Sequence, residues 1–93
     1  MTVALTVLDR AWALSPQVSV RPERFGALLY HFGTRRLSFL KDRRLLDVVR
    51  ALGDSPNARQ ACIGAGVAPA ELRTYERALT RLAETDMLRE RIS

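Results

Sequence analysis

The chain is poor in the residues that build catalytic and metal centres. It holds one cysteine, Cys62, and one histidine, His31. A single thiol allows no internal disulfide and no cysteine-based metal cluster, as expected of a reducing cytosol. A single imidazole excludes a two-histidine metal site and a metalloprotease helix. Long apolar runs are missing too. The opening "MTVALTVLDR" lacks a basic leading segment, its apolar run ends at Asp9, and nothing later approaches the ~20 residues that span a membrane. Lys41 is the only lysine among 15 basic residues, so the net charge of +5 is carried almost wholly by arginine.

A glycine loop for phosphate is absent as well, because "GAG" at 64–66 follows a helical segment instead of a strand. His31 lies inside a strand, where a satisfied or solvent-facing imidazole is the plainer reading than a catalytic one. Cys62 sits on a small-residue helix and reads as a structural thiol. The carboxylates are scattered among arginines as solvated pairs. No nucleophile, base and orienting group come together, so the chain reads as non-enzymatic, with no cofactor and no metal.

What is present is one modest domain. Ninety-three residues, 47% hydrophobic and 27% charged, suffice for a single core. Residues 1–14 read as an apolar N-terminal arm, disordered, packed on the domain, or covering a sheet edge or a partner surface, and 15–93 as the domain itself. Val18 and Val20 alternate with Ser19 and Arg21 in a short strand that Pro22 closes. "FGALLYHF" predicts a second strand with Leu28, Tyr30 and Phe32 on one face. "RRLSFL" predicts a third, with Leu37 and Phe39 on one face and Arg36 and Ser38 on the other. Gly33 and Thr34 supply the turn between them. No further strand is expected downstream, so the third strand keeps an open edge, and open edges invite another chain to pair.

Helices follow. Asp42 is a fitting N-cap for a stripe of Leu45, Leu46, Val49 and Leu52, with Gly53 placed for a left-handed end. Ser55 as N-cap and Pro56 at the first helical position predict a short second helix, about 56–63, with Ala58, Ala61 and Cys62 inward. "GAGVAP" breaks it, and Pro69 opens a third helix in which Leu72, Tyr75, Leu79 and Leu82 form an amphipathic stripe. Arg73, Arg77 and Arg81 step along the side away from that stripe, and Met87 and Leu88 fold back on the core from a fraying end. The expected fold class is α+β, a three-stranded antiparallel sheet followed by three helices, of the winged helix-turn-helix type.

That shape serves two ends, reading DNA or holding peptides. For DNA, the third helix would carry Arg73, Arg77 and Arg81 into the major groove. Against this, Glu76 and Glu84 lie beside the arginines, and the helix has no asparagine or glutamine for reading adenine. A plain solvated arginine face is the third possibility.

"QVSVRPERFGALLYHF", "RRLSFL", a leucine-rich helix and a closing "L…L…ML" helix together resemble the PqqD-like precursor-peptide recognition domains, most closely their mycofactocin branch. The likeness covers about 14–88 and is most specific over Val20 to Leu40. It implies a non-catalytic chaperone in the cytoplasm, with neither a nucleic-acid nor a membrane partner. Such a domain binds the leader of a ribosomally made precursor and presents it to a radical S-adenosylmethionine (SAM) maturase, whose iron–sulfur clusters do the chemistry. The leader would pair as an added strand with Arg36, Leu37, Ser38, Phe39 and Leu40, under a roof of Leu72, Arg73, Tyr75, Glu76 and Leu79. The positive surface would suit an acidic leader. From the residues alone, Leu37 and Phe39 are as readily core as groove, and Tyr75 as readily a packed aromatic with a bonded hydroxyl.

Overall fold

The computed structural model describes residues 6–91; the first five residues of the expected N-terminal arm lie outside the described residues. Five strands, β1 (Trp12–Leu14), β2 (Val18–Glu23), β3 (Gly26–His31), β4 (Leu37–Leu40) and β5 (Leu88–Glu90), accompany three helices. The helices are α1 (Arg43–Ala51), α2 (Ala58–Gly64) and α3 (Leu72–Glu84). The expected sheet is there: β2, β3 and β4 pair antiparallel in that order, followed by the three helices. The core gathers between the sheet's inner face and the helices, with Leu29, Leu40, Val48, Leu52, Leu79 and Met87 all but sealed from solvent. Burying a leucine of this kind contributes about 1.5–3 kcal/mol.

The sequence groups Leu28, Tyr30 and Phe32 on one face of the second strand and leaves open which face packs inward. On β3 the inward row is Ala27, Leu29 and His31, while Leu28 and Tyr30 face outward and Phe32, just beyond the strand, is 61% exposed. Reading the parity from hydrophobicity alone picks the outer row, because it holds the larger apolar groups. Packing decides otherwise. Small Ala27 fits against the helices, and His31 is tolerated inside because its Nδ1 accepts the N–H groups of Gly33 and Thr34, each at 3.0 Å. The imidazole therefore organises the β3–β4 turn. Gly26 is required where it stands, since a Cβ there would lie 1.8 Å from the carbonyl oxygen of Leu40.

A strand does occur downstream, contrary to expectation. At the end of α3, Asp86 takes a positive φ of 64°. The Met87 N–H then reaches the carbonyl of Leu82 at 2.9 Å, a glycine-type helix stop carried by an aspartate. Met87 and Leu88 are buried as the sequence suggests, but the chain does not fray. It continues as β5, antiparallel to β1 with Ala13 opposite Arg89. Three residues with two exposed charges carry no alternation that a reading of the sequence would detect. Residues 7–14 are thus packed on the domain, with Leu8 buried and Trp12 donating its indole N–H to the Val7 carbonyl at 2.9 Å.

Asp42 caps α1 as expected, its Oδ1 accepting the Leu45 N–H at 2.7 Å. Gly53, however, does not take the left-handed conformation; α1 runs into a 3-10 turn over Leu52–Asp54. Ser55 is not the cap of α2 either. Its hydroxyl donates back to the Ala51 carbonyl at 2.8 Å, and Asn57 caps instead, accepting from the Gln60 N–H at 2.8 Å. The Arg91 guanidinium donates to the carbonyls of Gly53 and Ser55 across this link, and α2 starts at Ala58, later than predicted.

Candidate functional site

Between β4 and α3 the surface opens into a groove of about 540 Å³. One wall is the strand itself, Leu37 through Leu40, continuing into Lys41 and Asp42. The other is a stripe of α3 and its C-cap comprising Thr74, Arg77, Ala78, Arg81 and Thr85. Steps of three, one, three and four residues keep these on one side of a helix. The floor is apolar, where Leu45, Tyr75 and Leu82 show the edges of otherwise buried side chains. Three cations, Lys41, Arg77 and Arg81, face one carboxylate, Asp42, so the groove is net positive.

The strand wall ends in an open edge: among the described residues nothing pairs with β4 on its far side. Its polarity can be read from the register. His31 donates its N–H to the Arg36 carbonyl at 3.0 Å, and Leu29–Ser38 and Ala27–Leu40 follow two residues apart along the same ladder. Bonded pairs alternate in an antiparallel ladder, so Ser38 and Leu40 spend their backbone groups on β3. The N–H and C=O of Leu37 and Phe39 point to the open edge. The opposite edge of the sheet is blunted, because β2 carries Pro22 and the exposed Arg21.

Tyr75 ties the two walls together, its hydroxyl donating to Asp42 Oδ1 at 3.3 Å. Burial, and then the negative charge of Asp42, push the phenol above its ordinary range. Cys62, buried on α2, does not line the groove, and burial pushes its thiol up and away from the reactive thiolate.

Of the residues the sequence singled out, Leu37, Ser38, Phe39, Leu40 and Tyr75 border the groove, Leu37 and Phe39 with their side chains on the outer face of β4. Leu37 and Phe39 are 66% and 54% exposed and are not core. Arg36, Leu72, Arg73, Glu76 and Leu79 do not line it; Leu79 is fully buried beneath. The groove-facing side of α3 lies about a third of a turn from the apolar stripe, at ~100° per residue. Sequence reasoning missed Thr74 and Ala78 and gave Arg77 and Arg81 to the far side. The signal was the mixed stripe of small, hydroxyl and arginine residues at helical spacing beside the leucines.

With this geometry in place, comparison with known proteins is specific. The model of the peptide chaperone MftB family matches residues 11–89. The chain belongs to the peptide chaperone MftB family, and is accordingly a chaperone and not an enzyme. It is 60% identical over 80 residues to the peptide chaperone MftB of Mycobacterium tuberculosis, covering 86% of this chain and 73% of that one. The MftB of Mycobacterium ulcerans is equally similar. That of Mycolicibacterium smegmatis is 55% identical over 80 residues, 78% of its length. No solved structure matches the chain significantly.

Proposed function

We propose that the chain captures the leader of a ribosomally made precursor peptide by strand addition to β4 and presents it to a radical SAM maturase in mycofactocin biosynthesis. The observation that carries this reading is the open edge of β4, with the backbone groups of Leu37 and Phe39 unspent, beside an apolar-floored groove. In strand addition the main chain supplies generic affinity and alternate side chains supply selectivity. Arg77, Arg81 and Lys41 favour an acidic leader and speed its capture. A leader that orders only on binding gives up part of its interaction energy, and one strand against one helix covers a modest area, so the complex is reversible. A carrier that must release its cargo needs that. The iron–sulfur clusters and the bond-making belong to the maturase, and the setting is the cytoplasm. Calorimetric titration of the purified protein with the leader encoded beside its gene tests this. Saturable binding that Phe39→Pro abolishes while circular dichroism is retained supports it; equal binding by the folded variant rules out pairing at β4.

A further inference from the structure

Leu37 and Phe39 stand on the outer face of β4, opposite Tyr30 and Leu28 of β3, so that face is apolar right up to the open edge. Edge strands ordinarily carry charge or proline there. The inward side of the same edge is apolar too, floored by Tyr75 and Leu82. A strand added to β4 sends its side chains alternately to these two sides. We propose that both sides read the peptide: the paired segment carries apolar side chains at consecutive positions, one set entering the groove and the other lying across Leu37 and Phe39, with acidic residues flanking it against Arg77 and Arg81. This rests on strand addition as the proposed function has it, and adds the chemistry of the ligand.

A strand whose outer neighbours are polar alternates apolar and polar residues, whereas here its outer positions lie beside exposed Leu37 and Phe39 and gain from apolar cross-strand contact. Each outer contact is a cross-strand pair, and two such pairs together amount to about a fivefold gain in affinity. A second copy of this chain fits the edge less well. Antiparallel pairing of two β4 strands that sets Leu37 against Phe39 brings Arg35 of one copy opposite Lys41 of the other, and like charges directly opposed are destabilising.

Selection from a random displayed-peptide library separates the possibilities, using immobilised wild type, Leu37→Thr/Phe39→Thr and Phe39→Pro. Threonine keeps the strand propensity while removing apolar surface at exposed positions. The expected result is enrichment of consecutive apolar runs with acidic flanks on wild type, and of alternating apolar and polar sequences on the threonine variant. Alternation on both proteins, or consecutive runs on both, overturns two-sided reading and leaves strand addition standing. Enrichment no greater on wild type than on Phe39→Pro removes strand addition itself, and this inference with it. A concentration-dependent dimer in sedimentation that Phe39→Pro abolishes assigns the edge to a second copy and likewise overturns the inference.

Discussion

The hydroxyl of Tyr75 on α3 donates to the same Asp42 oxygen that caps α1, at 3.3 Å from the phenol and 2.7 Å from the Leu45 nitrogen. One carboxylate thus caps α1 and ties α3 to the strand wall of the groove. Tyr75→Phe should lower stability by about 1 kcal/mol, and Asp42→Ala by about 1–2 kcal/mol because the cap goes as well. The phenol is held neutral in the folded chain above its ordinary value of 10.0. A raised folded-state value gives stability that is present below pH 10 and drains as pH climbs past it, since the unfolded chain ionises first. Thermal melts from pH 9 to 11 should fall less steeply in Tyr75→Phe than in wild type.

Arg77 and Arg81 line the groove, while Arg73 does not. Reversing the first two to glutamate should slow association of an acidic leader severalfold and flatten its salt dependence. Arg73→Glu should change the association rate far less. Stopped-flow traces across a salt series compare them; equal effects from all three would mean that only net charge matters.

Leu79 lies at the centre of the core with no exposed surface. Leu79→Ala should cost about 2–5 kcal/mol in denaturant unfolding, with leader dissociation unchanged once measured well below the melting transition. Ala78→Trp, one residue along, should do the reverse, filling the groove and blocking the peptide while the melt barely moves.

How far the sequence alone reveals this molecule depends on which forces act locally. The sheet-then-helices order, the Asp42 cap and the leucine stripe of α3 are written in short-range patterns, and all three are present. The inward parity of β3 was not legible, because Ala27 and His31 are chosen by the space and hydrogen bonds they meet, not by hydrophobicity. Strand β5 depends on a left-handed aspartate and a partner some 75 residues earlier in the chain, as Ala13 opposite Arg89 shows. At the groove, the strand wall was readable from β4, yet the facing stripe of α3 was not. A helix face that borders a groove is neither fully apolar nor fully polar, so it falls between the two patterns that periodicity detects.

Asp9 joins the N-terminal segment to α2 through a 3.0 Å contact with Arg59. That guanidinium, with the Thr6 N–H, holds its carboxyl below the ordinary value of 3.8. A depressed folded-state value gives stability that is present above pH 3.8 and is lost as pH falls through the lower folded value. Asp9→Asn should therefore show a shallower acid limb in melts taken from pH 5 to 2. Superimposable limbs would show that the pair is too solvated to matter.

The central claim is that a peptide strand takes the unspent backbone groups of Leu37 and Phe39, and amide hydrogen exchange resolved by residue tests it most directly. In the free protein the Leu37 and Phe39 amides should exchange readily, while those of Ser38 and Leu40, bonded to β3, stay protected. Saturating leader peptide should protect Leu37 and Phe39 by at least about tenfold and leave Ser38 and Leu40 as they were. Unchanged exchange at Leu37 and Phe39 in a demonstrably saturated complex would contradict pairing at the edge of β4.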